Sequence, residues 1–171
     1  MSEDLKQLFE DHFKEKVQDI SPLVAHGSNR EYFRLTSANR SVIGARNQDR
    51  LENEAFISFS KHFHSNDLTV PEIYAENLDR GIYLEQDLGD MTLFDHLLSL
   101  REGKKEFPDA LLKTYEQVVE LLPQFQVKGG KGLDYSKSYP HHSFDRQSMM
   151  WDLNYFKYYF LKLAHIQFNE Q

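Results

Sequence analysis

The sequence contains no cysteine in its 171 residues. That absence excludes disulfide scaffolds, thiolate catalysis and every cysteine-ligated zinc or iron–sulfur centre, and it fits a reducing compartment. No stretch approaches the ~18 consecutive apolar residues of a membrane-spanning helix. The opening residues 1–16 (MSEDLKQLFEDHFKEK) lack both a basic leader and an apolar run, so they do not read as a secretory signal. Basic charge is in the minority, with 20 Lys+Arg against 27 Asp+Glu and a net charge of −7. A general nucleic-acid binder needs a basic face to neutralise phosphates, which this balance disfavours. The expectation is a soluble cytoplasmic protein with neither nucleic acid nor membrane as a partner.

What is present is enough to fold. With 40% hydrophobic and 27% charged residues, the composition is that of an ordinary globular protein. Aromatic residues are prominent, with 13 Phe, 9 Tyr and 1 Trp, and such rings need burial or a partner.

Leu5, Leu8, Phe9 and Phe13 recur at helical spacing in residues 3–16 and predict an amphipathic helix. Residues 24–35 (VAHGSNREYFRL) read as a strand, a polar turn at 26–29 and a returning strand, and 41–46 (SVIGAR) as a third. Helical spacing returns over 50–63. Two short strands, 70–74 and 82–86, flank a turn at 77–81. Thr92 is a plausible N-cap for a short helix to Leu100. From there the pattern is helical only. Pro108 is expected at the first position of a helix carrying Leu111, Tyr115, Val118 and Leu122. A last helix begins near Arg146 and carries Met149, Leu153, Phe156, Phe160 and Leu163. The fold class expected is α+β.

The ordered segments HGSNREYFRL, VIGARN, ENEAF, VPEIYA and IYLEQDLGDMTLFDHL resemble aminoglycoside/choline-kinase-type phosphotransferases. Within that group they are most similar to bacterial kinases of cell-wall amino sugars. The resemblance covers residues 20–100 well and the later helices loosely. It implies a protein-kinase-like small lobe of five antiparallel strands and one helix over residues 1–90, with a hinge at 85–90. Residues 91–171 would then be the first helices of a helical lobe. It also implies use of ATP with Mg²⁺ and transfer of a phosphoryl group to a small-molecule hydroxyl, plausibly an amino sugar.

On that resemblance the turn at Gly27, Ser28 and Asn29 lies over the ATP phosphates, and Arg30 adds charge. Gly27 lets the backbone approach closely; equally, such residues make plain β-turns. The strand lysine of the kinase pattern is missing, because the aligned position is Gly44. Arg46, two residues on, is the candidate to take its place and to pair with Glu52 on the following helix, with Glu54 second. The alternative is that Arg46 and Glu52 are solvated surface charges. The resemblance assigns adenine to the hinge, with Gln86 C=O and Leu88 N–H as contacts and Leu84 near the pocket wall. His62, His64, His141, His142 and His165 do not fall at zinc-ligand spacings, and no metal ligand is assigned.

No H-[GR]-D-x-x-x-x-N catalytic loop and no further metal-binding Asp follows in the sequence, so no catalytic residue is assigned. Asp145 and Asp152 sit in helical context. The sequence therefore reads as the N-terminal part of a longer kinase, the Mg²⁺ ligands being expected outside it. The competing reading is a non-catalytic nucleotide-binding or protein-interaction module. The 171 residues by themselves should consume no ATP when offered sugars or aminoglycosides. A coupled ADP-release assay checks this, and turnover above background overturns it.

Overall fold

The computed structural model describes residues 2–24, 29–103 and 107–169. Contacts divide the protein into two compact units, the first ending at Asp134 and the second beginning at Tyr135.

The first unit is built on a five-stranded antiparallel sheet, in spatial order β1-β2-β3-β5-β4. The strands are β1 (Asp19–Pro22), β2 (Glu31–Thr36), β3 (Ser41–Arg46), β4 (Ile73–Asn77) and β5 (Ile82–Gln86). Helix α1 (Ser2–Phe13) precedes the sheet and α2 (Arg50–Ser65) follows β3. Helices α3 (Leu93–Arg101) and α4 (Asp109–Pro123) come after β5. This is the α+β arrangement of strands and one inserted helix read from the sequence.

β3 and β5 carry the core because both of their faces are covered. Side chains alternate along a strand, so Val42, Ile82 and Leu84 fall on one face. There they pack with Leu5 and Phe9 of α1 and with Leu35. Ala45 and Tyr83 fall on the other, against Ile57 and Phe56 of α2. Gly44 belongs to the α1 face, where a Cβ would stand 2.7 Å from Leu35 Cδ1 and 3.0 Å from Leu5 Cδ2.

Three boundaries differ from the expectation. The first strand is Asp19–Pro22, not a segment starting at Val24, which is exposed. Its DISP sequence lacks a strand signature; it is an edge strand, where a proline without an N–H is tolerated. β4 starts at Ile73 rather than Val70, and its pairing with β5 is irregular between Ile73 and Ala75. Pro108 is the N-cap of α4, with extended backbone, and Asp109 opens the helix. Thr92 caps α3 as expected, accepting from Asp95 N.

The second unit contains a short 3-10 turn (Tyr135–Lys137) and α5 (Arg146–Phe156), which continues into a π-helical turn (Lys157–Leu161). Asp145 caps α5 by accepting from Ser148 N at 2.9 Å. Its rings stack along the helix, Tyr155 on Tyr159 at 4.4 Å and Phe156 on Phe160 at 5.2 Å. Trp151, Tyr155 and Tyr159 are all exposed.

Gly44→Ala should destabilise the protein by about 1–3 kcal/mol, the range for overpacking a filled core. Urea unfolding checks this, and an unchanged midpoint would show that α1 does not pack on this face as described.

Candidate nucleotide site

The α2 face of the sheet continues past its apolar centre into a polar junction. Asn47 follows β3 directly and is buried. Its N–H donates to Gly81 C=O at 2.9 Å, a contact that fits because Gly81 has φ +63° and no Cβ. Asn47 Oδ1 accepts from Asp49 N at 3.1 Å, and Asn47 Nδ2 donates to Glu52 Oε2 at 2.7 Å. Asn53 Nδ2 in turn donates to Asn47 C=O at 2.7 Å. Asp49 caps α2 by accepting from Glu52 N at 3.1 Å. The segment NQDRLENE thus fixes the first turn of α2 to the end of β3.

Arg30 closes this junction. It is 8% exposed, and its Nη2 lies 2.8 Å from Glu52 Oε1. The guanidinium rests over the Phe56 ring at 4.9 Å and the Tyr83 ring at 5.8 Å, with Nη1 3.5 Å from Tyr32 Oη. A flat, weakly hydrated cation suits such a half-apolar setting.

The expected Arg46–Glu52 pair is therefore not the one formed. Arg46 shares the strand parity of Val42 and Gly44, which point to α1, and its guanidinium lies 3.7 Å from Glu31, its cross-strand neighbour. Gly44 is likewise on the α1 side, so a lysine there would enter the core under Leu5. The β3 positions that face α2 are Ile43 and Ala45. Leu84, placed near the pocket wall by the resemblance, is fully buried in the α1-side core. Glu54 pairs with Arg50 at 2.8 Å on the helix surface.

A polar cavity of about 500 Å³ lies beside the junction, lined by Asn29, Glu31, Arg46, Asn47, Gln48 and Asp49. Gly27 and Ser28 lie outside the described residues. Two of the site residues named from the sequence, Asn29 and Arg46, meet at this cavity, and Arg30 with Glu52 stands behind it.

At the far end of β5 the hinge segment is clamped. Arg34 Nε donates to Asp87 Oδ2 at 2.7 Å, Nη2 to Asp87 Oδ1 at 3.0 Å, and Nη1 to Asp90 Oδ1 at 2.8 Å. Ser41 Oγ and Gly89 N also donate to Asp87. Burial alone would raise the Asp87 carboxyl, but these donors, Arg34 first, hold it down to about 2. Gln86 is the last residue of the ladder; its N–H donates to Glu72 C=O at 2.9 Å. Leu88, beyond it, is exposed. Neither Arg34 nor Asn47 was identified from the sequence. The N-x-D-x-x-E spacing is a capping signal that marks Asn47, whereas nothing local links Arg34 to a residue 53 positions away.

Glu85 stands on the α2 face between these two features. It is 8% exposed, and its Oε2 has no hydrogen-bond partner among the described residues. Burial pushes its pKa up to about 7, an effect the Arg30 charge partly counters. His62, noted in the sequence, uses its ring on Gly129 C=O at 2.8 Å. Among the described residues no group of three or more His, Cys, Asp or Glu is placed to hold a metal ion.

This sheet, inserted helix and clamped connector were compared with known proteins. A solved structure from Ralstonia eutropha JMP134, provisionally described as an aminoglycoside phosphotransferase, superimposes with a TM-score of 0.56 at 19% identity. The match covers 91% of this protein and 47% of that one. The 171 residues share the fold of the matched part of that structure. Its sequence is also similar to an N-acetylmuramate/N-acetylglucosamine kinase from Pseudomonas putida, 27% identical over a 158-residue alignment. That alignment takes in 80% of this sequence and 46% of the kinase, so the 171 residues span less than half the length of either relative. No family model matches the sequence. In this fold α2 is the helix inserted after β3, and Glu52 in its first turn pairs with Arg30.

Glu85 makes a testable contribution to stability. The folded protein keeps the Glu85 proton up to a pH of about 7, whereas the unfolded protein releases it near 4.5. Stability should therefore fall as pH rises across that interval and level off above it. Glu85→Gln should remove this slope and stabilise the protein at pH 8, on the order of 2 kcal/mol. Urea unfolding at pH 5 and pH 8 measures it, and equal slopes in both proteins would refute the assignment.

Proposed function

We propose that these residues are the N-terminal part of an ATP-dependent small-molecule phosphotransferase, with a kinase-like lobe at 1–90, a hinge at 85–90 and the first helices of a helical lobe at 91–171. The observation that carries the proposal is the pairing of buried Arg30 with Glu52 at 2.8 Å, near a polar cavity at the junction of β3 and α2. Phosphoryl transfer in kinase-type sites depends on a cation held by the carboxylate of the inserted helix. Arg30 supplies such a cation in the absence of a strand lysine.

The residues present fit a nucleotide. Asn29 and Arg46 line a cavity with the volume for phosphate groups, and Gly27 and Ser28 directly precede Asn29 in sequence. The hinge segment, held by Arg34, offers Gln86 C=O and Leu88 N–H to an adenine edge, and Leu84 supports the strand from the α1 side. Bound ATP would supply the γ-phosphoryl group, with Mg²⁺ held by residues outside this sequence. The name of the Pseudomonas putida relative supports an amino sugar as the hydroxyl acceptor. The exposed ring faces of α5 support the assignment of 91–171 to a larger helical lobe, since rings of that number are rarely left to water.

Titration with a non-hydrolysable ATP analogue should shift the backbone amide resonances of Gln86 to Gly89. Unchanged shifts would overturn the hinge assignment. In the whole protein, Arg30→Ala should lower kcat/KM for ATP by about 10- to 100-fold, the loss of one charge-assisted contact. A smaller effect than that of Arg46→Ala would return the lysine's role to Arg46.

A further inference from the structure

Three arginines from separate parts of the chain meet at a second cavity, next to the one already described. This space of about 370 Å³ is lined by Arg46 at the end of β3, Arg50 in the first turn of α2 and Arg80 in the turn between β4 and β5. Gln48 and Asp79 also line it. Asn47 N–H donates to Gly81 C=O at 2.9 Å, which fastens the β3–α2 connection to that turn. The three guanidinium groups are thus gathered by backbone that is already tied together.

Their donors are only partly engaged. Arg46 has Glu31 at 3.7 Å, beyond hydrogen-bond range, and its guanidinium has no other partner among the described residues. Yet its side chain is only 25% exposed. Arg50 gives Nε to Glu54 at 2.8 Å and Nη1 to Asp79 at 2.7 Å, which leaves Nη2 without an acceptor among the described residues. Arg80 gives Nη1 to Asp4 at 2.9 Å, which leaves Nε and Nη2 in the same position. The Asp79 side chain is 88% exposed and that of Asp4 49%, so water screens both pairs and a bound anion displaces these carboxylates at small cost.

Charge selects the ligand. Three guanidinium groups face the single carboxylate of Asp79, so the lining carries an excess of two positive charges. The first cavity has the opposite balance, with Arg46 set against Glu31 and Asp49. An anion that brings no cation to offset its charge is therefore favoured in the second. One arginine fork is enough for a carboxylate, whereas a phosphate dianion has the charge and the oxygens to meet several.

We propose that this second cavity is a binding site for a phosphate dianion, either free or as the terminal group of a small phosphomonoester. The Arg46 fork and the remaining N–H groups of Arg50 and Arg80 donate to its oxygens. The assignment does not depend on the nucleotide reading of the first cavity.

Titration of the protein with sodium phosphate at pH 8 tests the site, with backbone amide resonances as the readout and chloride holding the ionic strength constant. The amides of Gln48, Arg50, Arg80 and Gly81 should follow one saturable curve, with a Kd of about 1 mM or tighter. Arg46→Gln and Arg80→Gln should each weaken binding about ten-fold, the loss of one charge-assisted hydrogen bond. Asp79→Asn should tighten it about three-fold or more, because it removes a competing carboxylate and frees Arg50 Nη1. A variant that fails to fold cannot mimic that gain. Glycerol 3-phosphate, titrated in parallel, separates the two sources. Shifts with both ligands assign a phosphomonoester site, and shifts with inorganic phosphate alone assign a site for the free anion; either result supports the proposal. Phosphate shifts that never saturate, that centre on Asn29 and Glu31, or that persist unchanged in both arginine variants overturn it. So does an Asp79→Asn protein that binds phosphate no more tightly than wild type.

Discussion

The pleat of β3 and β5 governs where everything else in the first unit can go. These two neighbouring strands are buried on both faces, so each residue is committed to one of two environments by parity alone. Val42, Gly44, Ile82 and Leu84 belong to α1; Ile43, Ala45, Tyr83 and Glu85 belong to α2. Gly44 is bare because Leu5 and Leu35 occupy the space above it. That crowding also removes Gly44 as the place for a lysine directed at a ligand. The cation on the α2 side has to come from elsewhere, and it comes from Arg30, just before β2, whose strand runs antiparallel to β3.

Once Arg30 is there, its burial dictates its surroundings. A guanidinium with 8% exposure needs an anion and matched acceptors. Glu52 supplies the anion, and its position is fixed from the other side by Asn47, which is itself tied to Gly81 and to the cap of α2. Removing Glu52 would take the carboxylate at 2.8 Å from a guanidinium held over Phe56 and Tyr83, where burial makes the loss of an anion costly. By contrast, Arg46 with Glu31 and Arg50 with Asp79 include exposed partners, where water screens most of the attraction.

The sequence made the regular elements legible where the pattern was local. SVIGAR and IYLEQ are apolar runs bounded by turn residues, and both strands lie where they were expected. The α3 cap at Thr92 was legible in the same way, whereas the α2 cap at Asp49 emerged from the structure. The edge strand β1 was not legible, because Asp19 and Pro22 disguise it and its pairing with 33–36 depends on tertiary register. The candidate site was half legible. Arg30, Glu52, Asn29 and Arg46 were named, but the pairing among them was misassigned, since it depends on which face each strand shows. Arg34 with Asp87, and the isolation of Glu85, arise from contacts across many tens of residues that no local pattern carries.

Two carboxylates at the C-terminal end of β5 meet opposite surroundings. Asp87 is surrounded by donors from Arg34, Ser41 and Gly89, so its carboxylate is satisfied and the connector after the strand is held in one path. Glu85, two residues earlier and of the same chemical type, has an oxygen that no donor among the described residues meets. The contrast is one of supply: the edge toward β2 offers an arginine fork and a hydroxyl, while Glu85, opposite Ile43 and Ile73, has the Arg30 charge nearby but no donor on Oε2 among the described residues. The satisfied carboxylate fixes the path of the connector, whereas the unmatched one favours its protonated form, because burial disfavours its charge.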